Sequence, residues 1–92
     1  MILRFRHKGL EKFFSSGNTR GINAQHSRRI KLLLGILATA QSPVEMNIAG
    51  ARLHPLKGEL AGYWAVSVSG NWRLVFRFKG NDATDVDLID YH

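Results

Sequence analysis

The 92-residue sequence contains no cysteine. Disulfides are thereby excluded as support for a small core, and so is chemistry through a thiolate. It also lacks any apolar run of the ~20 residues that a membrane helix needs. The longest candidate, Ile30 to Ala40, is broken by Lys31 and Gly35. The opening Met1-Ile2-Leu3-Arg4-Phe5-Arg6 alternates apolar and basic residues, where a secretory signal requires a continuous apolar stretch. These absences point to a cytoplasmic chain that makes no use of a membrane. There is no P-loop, no GxGxxG turn and no HExxH helix, and the four histidines are scattered at positions 7, 26, 54 and 92. No metal and no other cofactor is expected. Acidic residues are scarce as well: seven stand against thirteen Lys and Arg, for a formal net charge of +6. Asp82, Asp85, Asp87 and Asp90 all lie near the C-terminal end, so the basic surface comes from the rest of the chain. A small basic protein is drawn to polyanions, above all nucleic acid or ribosomes.

What is present suits one folded domain over residues 1–92. Hydrophobic residues make up 45%, enough for a core, although a chain this short buries only about 60–65% of its unfolded surface. Alternation over Met1–Arg6 predicts a strand. Leu10, Phe13 and Phe14 stand at helical spacing within Lys8–Phe14, and Gly17 or Asn18 can close that helix in the left-handed conformation. A second helix is predicted from Asn23 or Ala24 to Thr39, with Asn23 as its cap. Ile30, Leu33, Leu34 and Leu37 form its apolar stripe, and Gln41-Ser42-Pro43 stops it. Residues 41–61 read as loop, with Met46, Ile48 and Leu53 as candidates to dock on the core. Three alternating runs follow: Tyr63–Val68, Trp72–Phe78 and Ala83–Tyr91, joined at Ser69-Gly70-Asn71 and at Lys79-Gly80-Asn81-Asp82. The predicted class is α+β, β-α-α and then an antiparallel β-meander, with the helices on one side of the sheet.

Facing requirements restrict the register, because a one-residue slip turns a whole strand over. Keeping Trp64, Val66 and Val68 on the face of Trp72, Leu74 and Phe76, with Val86 and Leu88 inward, pairs Leu74 near Leu88. Arg73 then lies near Ile89 and Tyr91, so Arg73 and Asp90-Tyr91-His92 gather at one end of the sheet. Arg77 falls near Asp85, which reads as a surface ion pair of little energetic value. Strict alternation puts Tyr91 on the Arg73 face and His92 on the other, unless a frayed end or a bulge turns His92 round. The position of the 54–57 loop relative to Arg73 is left open.

His54, Lys57, Arg73, Asp90, Tyr91 and His92 supply the groups that RNA cleavage through the 2′-hydroxyl needs without a metal. A base takes the 2′ proton, a cation holds the phosphorane, and an acid protonates the 5′-oxygen. Histidine serves as base or acid near neutral pH, and arginine grips phosphate bidentately. Each residue also has an ordinary reading. His54 can cap a turn before Pro55, Lys57 can be a solvated loop lysine, Arg73 can pair with an aspartate, and Asp90-Tyr91-His92 can be a frayed tail. Arg28, Arg29 and Lys31 form either a solvated helix face or a phosphate-tracking contact with ribosomal RNA. His7 and His26 read as surface or interfacial residues, and Trp64 and Trp72 as core.

His54-Pro55-Leu56-Lys57-Gly58, Gly62-Tyr63-Trp64, Asn71-Trp72-Arg73 and the terminal Asp90-Tyr91-His92, with Phe5-Arg6-His7-Lys8-Gly9-Leu10 at the start, resemble the HigB toxins of the RelE superfamily. The likeness runs from the first strand to the last residue and is weakest between 40 and 50. It implies a compact fold of two helices on an antiparallel sheet and an endoribonuclease that cuts mRNA in the A site of the 70S ribosome. It also implies a HigA-like helix-turn-helix antitoxin as partner, with DNA reached only through the antitoxin complex. By the same resemblance His54 and Lys57 belong to an active-site loop and Arg73 contacts the scissile phosphate. Tyr91 then positions a base, His92 acts as general base or acid, and Asp90 orients His92. The alternative from another class is a non-catalytic RNA- or ribosome-binding module, which would share the charge and the exposed aromatics. A purely structural docking subunit leaves the Arg73 and tail cluster unexplained.

Overall fold

Two helices supply one layer of the structure. A computed structural model describes residues 1–90, and Tyr91 and His92 lie outside the described residues. Helix α1 spans Lys8–Ser16 and α2 spans Ser27–Thr39. The stripe foreseen on α2 is its buried face: Ile30, Leu33, Leu34 and Leu37 are each within 1% of full burial, and each such side chain contributes about 1.5–3 kcal/mol. Helix α1 ends where Gly17 turns left-handed at φ 77° and its N–H donates to the Phe13 carbonyl at 2.9 Å. Asn23 caps as expected, but it caps a single 3₁₀ turn, Ala24–His26, that leads into α2. Ala40 closes α2, and Met46 is buried, with Ile48 and Leu53 packed against the core. Among the described residues no helix is long and apolar enough to cross a membrane.

The other layer is a four-stranded antiparallel sheet in the order β1 (His54–Pro55), β2 (Trp64–Ser69), β3 (Trp72–Lys79), β4 (Asp82–Asp90). The register follows the facing argument. Trp64 pairs with Phe76, Val66 with Leu74 and Leu74 with Leu88, while Arg73 sits opposite Ile89. Val66, Leu74, Phe76, Val86 and Leu88 therefore meet α1 and α2 in one core. The reverse face carries only a small apolar patch, Leu56, Ala65 and Val75 flanked by Leu60, Tyr63 and Ile89. No helix covers it.

The opening residues depart from the expected regular strand. They run parallel to β4 but touch it through two isolated bridges, Ile2 to Ala83 and Phe5 to Val86. The Leu3 and Arg6 N–H groups donate to the Ala83 and Val86 carbonyls, each at 2.8 Å. The interruption has a local cause. Asp85 adopts φ 51° at a bulge in β4 and leaves the ladder between the two bridges.

Asp85 also corrects the expectation of a surface ion pair. Its side chain is only 7% exposed and joins two cations: Arg77 Nε donates to Oδ2 at 2.7 Å, and Arg4 Nη1 lies 3.3 Å from Oδ1. The carboxylate thus pins the N-terminal segment to β4 across the gap in backbone pairing. The hydrogen bond to Asp85 is the main reason that the Arg77 guanidinium is held above its ordinary range. A raised cationic group stabilises fully below its unfolded value and loses that contribution only as pH rises past its folded one, so the contact survives any neutral or mildly alkaline medium. Asp85→Asn keeps the size and the tolerance for positive φ but removes the charge. It is expected to lower the melting temperature by about 5 °C. An unchanged melting curve would mean that the bulge is held by the backbone alone.

One close approach fixes the segment between the helices. A Cβ on Gly9 would stand 2.4 Å from the Gly21 carbonyl oxygen, and one on Gly21 would stand 2.5 Å from Gly9 Cα. The first turn of α1 and the 17–23 loop meet backbone to backbone there, and only glycine fits on either side.

Candidate active site

The helix-free face of the sheet holds the first candidate residue. β1 is only two residues long, but it pairs His54 with Ala65, which puts His54 on the face of Ala65 and Val75. The preceding loop is tied down where the Ser67 N–H donates to the Ala51 carbonyl at 2.7 Å. Arg52 takes φ 53° and presents its carbonyl to the imidazole, 2.9 Å from Nδ1. A carbonyl can only accept, so Nδ1 carries a hydrogen and the neutral ring keeps its lone pair on Nε2. Leu56, on the same face, is buried, and its N–H donates to the Tyr63 carbonyl at 2.8 Å. The loop is anchored on either side of His54.

Arg73 lies on the same face, paired with Ser67 on β2 and Ile89 on β4. His54 and Arg73 are therefore two strands and two residues apart, about 12 Å between Cα atoms from ordinary strand spacing and rise. The Arg73 Nη1 group donates to the Gly70 carbonyl at 2.7 Å and to the Trp72 carbonyl at 3.1 Å. The turn that carries Gly70 at φ 54° thus holds one corner of the guanidinium, and Nε and Nη2 keep hydrogens for an anion. Half-buried and oriented by backbone, this arginine has lost much of the freedom of a surface side chain.

The other candidates are spread more widely. Lys57 is exposed and extended at the start of the 3₁₀ turn Gly58–Leu60, just past β1. Asp90 ends β4 opposite Trp72, so it shares the Arg73 end of the sheet but sits at a register position of the helix-side face. Tyr91 and His92 lie outside the described residues. Arg28 and Lys31 are exposed on α2 beside a shallow groove with Leu32, Gly35 and Ile36. The Arg29 guanidinium reaches Gly50. Arg28 and Lys31 belong to the exposed side of α2, whose buried stripe faces the sheet that carries Arg73.

Sequence reasoning passed over a second gathering of polar groups. His7 caps α1, its Nδ1 accepting from the Leu10 N–H at 3.1 Å. His26 packs against Trp72 with ring centroids 6.0 Å apart, and its buried Nδ1 has no hydrogen-bond partner among the described residues. Both line a cleft with Arg20 and Trp72. Histidine is not among the usual capping residues, and the loop that brings Arg20 round is set by the Gly9–Gly21 approach, so no local pattern announced the cluster.

Comparison with known proteins agrees with this architecture. Residues 3–92 match the family of HigB-like toxins, the RelE-like toxin of the type II toxin–antitoxin system HigB. The chain belongs to the HigB-like toxin family. It is 44% identical to the endoribonuclease HigB of Proteus vulgaris over 92 residues, covering 100% of both chains. In fold this HigB-like toxin is similar to YafQ from Escherichia coli strain BL21(DE3), with a TM-score of 0.65, 16% identity, and 98% and 91% of the two chains covered. It is also similar to YoeB in a YoeB–YefM complex from Staphylococcus aureus, with a TM-score of 0.61, 20% identity, and 100% and 98% covered. The α+β class and the two-helix, four-strand plan are those of RelE-like toxins.

Proposed function

We propose that this HigB-like toxin is an endoribonuclease that cleaves mRNA in the ribosomal A site and so arrests translation. The observation that carries the reading is the sheet face away from α1 and α2, which a backbone-tethered histidine, His54, shares with a turn-tethered arginine, Arg73. Kinship with an endoribonuclease HigB over the full chain supports it. With Nδ1 bound to Arg52, His54 offers Nε2 as the base for the 2′-hydroxyl proton. The 2′-oxygen attacks phosphorus while the Nε and Nη2 groups of Arg73 hold the non-bridging oxygens, with Lys57 as a further cation. His92 returns a proton to the departing 5′-oxygen, Asp90 orients His92, and Tyr91 stacks against a base. The products are a 2′,3′-cyclic phosphate and a free 5′-hydroxyl, and none of these steps calls on a metal.

We assign the ribosome the role of positioning the substrate against this face. We assign Arg28, Arg29 and Lys31 to a contact with ribosomal RNA. We assign the toxin to the cytoplasm and expect a HigA-like helix-turn-helix antitoxin as its partner, through which alone it would meet DNA.

Primer extension on a defined mRNA in a purified translation system tests the reading. Wild type is expected to cut at A-site codons only when ribosomes are present, and His54→Gln and His92→Gln are each expected to lower the rate by about 10²–10⁴-fold, the usual worth of a general acid or base. Translation that stalls with the mRNA intact would replace the nuclease with a non-catalytic ribosome-binding module.

A further inference from the structure

The cleft behind Arg73 has the composition of a nucleotide subsite. It encloses about 240 Å³ and is lined by His7, Arg20, His26 and Trp72, with Ile22 and Leu88 beneath. Pockets for drug-sized ligands run to ~300–1,000 Å³, so this one suits a single base with its phosphate. Among the described residues its lining contains no carboxylate, although Asp90 pairs with Trp72 on the neighbouring strand. Arg20 is exposed and forms no salt bridge among the described residues. The Nδ1 of His7 is occupied as an acceptor by the Leu10 N–H, so the neutral ring carries its hydrogen on Nε2 and can donate. Trp72 and His26 offer two half-buried aromatic faces tilted at 59°. An arginine, an imidazole donor and an aromatic wall are the parts that a single-stranded RNA site uses, the cations for phosphate and the rings for stacking.

The location connects the cleft to the proposed active site. Trp72 and Arg73 are consecutive on β3 and face opposite sides of the sheet, at the end where β4 finishes with Asp90. A strand of RNA with one phosphate on Arg73 can round that end and leave a neighbouring nucleotide on the Trp72 side. We propose that the His7–Arg20–His26–Trp72 cleft is a subsite for a nucleotide flanking the scissile phosphate, Arg20 and His7 holding its phosphate and Trp72 with His26 stacking its base. The proposal rests on the endoribonuclease reading for its place in catalysis, but the binding itself can be measured apart from cleavage.

Trp64→Phe leaves Trp72 as the sole tryptophan, a reporter within the cleft. In that background adenosine 3′-monophosphate is expected to quench Trp72 fluorescence saturably, and inorganic phosphate is expected to compete. Arg20→Ala, an exposed change that leaves the core intact, is expected to weaken the nucleotide about tenfold, and Arg20→Lys to restore part of the loss. Arg73→Ala is expected to leave the quenching unchanged. On programmed ribosomes Arg20→Ala is expected to raise the half-saturating toxin concentration while the maximal cleavage rate stays put. Absence of saturable quenching in the folded protein, or equal affinity in Arg20→Ala, overturns the subsite even if mRNA is cleaved. Quenching that depends on Arg20 supports it even if cleavage is never found, and in that event only the nuclease reading falls.

Discussion

Arg73→Ala is expected to reduce mRNA cleavage at least ~100-fold while leaving the fold intact, the magnitude found when an oriented donor to a developing oxyanion is removed. The expectation comes from how Arg73 is held. Its Nη1 is spent on the Gly70 and Trp72 carbonyls, so the rest of the fork points a fixed pair of donors. Alanine removes the donors, and of the vacated carbonyls that of Gly70 lies in an exposed turn while that of Trp72 is only part-buried. Each lost bond is worth about 1 kcal/mol of stability, too little to unfold the chain. Lysine keeps a charge but cannot reproduce the fork or its two backbone anchors, so Arg73→Lys is expected to recover only a small part of the rate. Single-turnover cleavage on programmed ribosomes, with circular dichroism as the folding control, reads both variants. If Arg73→Ala cut within a few-fold of wild type, the arginine would be a structural brace for the turn and the phosphate site would lie elsewhere.

The largest change in stability is expected at Gly9. A methyl group there meets the Gly21 carbonyl at 2.4 Å, and the nearest atoms on both sides are backbone. Neither can swing away as a side chain would. Overpacking of this kind costs about 3 kcal/mol, which for a domain this small lowers the melting temperature by about 12–24 °C. Gly35 is the internal control. It sits in the interior of α2 with nothing within 4 Å of its missing Cβ, so Gly35→Ala is expected to stabilise by about 0.5–1 kcal/mol through helix propensity alone. Opposite signs from the same chemical change would separate the packing contribution from the propensity contribution. A Gly9→Ala protein that melted like wild type would show that the 17–23 loop is free to move off α1.

Features dictated by period and facing are legible in the residues alone. The α2 stripe and the pairing of Leu74 with Leu88 follow from which side chains must avoid water, and the order of amino acids carries that constraint directly. Contacts set by distant backbone are not legible in this way. β1 is two residues long and has no alternation to show. Its place beside β2 depends on the Ser67 to Ala51 bond and on the turned carbonyl of Arg52. Asp85 reads as a surface acid because alternation has no sign for a bulge, and only the positive φ in β4 tucks its carboxylate beneath Arg4 and Arg77. For the site, alternation places Arg73 on the face opposite the helices. The family resemblance points to His54, but its shared face with Arg73 becomes visible only once β1 has a partner. Asp90 falls at the right end of the sheet by pattern alone. Its position on the face of Trp72 follows from the same register that separates it from Arg73.

The pairing of Met1–Arg6 with the last strand has a consequence for synthesis. Leu3 and Arg6 find their carbonyl partners at Ala83 and Val86, and Arg4 finds its counter-charge at Asp85. The amino-terminal segment therefore cannot pair until β4 has been made. While β4 is still within the exit tunnel, the amino-terminal segment has nothing to rest on, and Arg73 lacks the Ile89 neighbour on its outer side. The helices can form early, from local contacts, but closure of the sheet waits for β4. The Arg73 end of the sheet and the amino-terminal segment are therefore completed together, by the pairing of one strand.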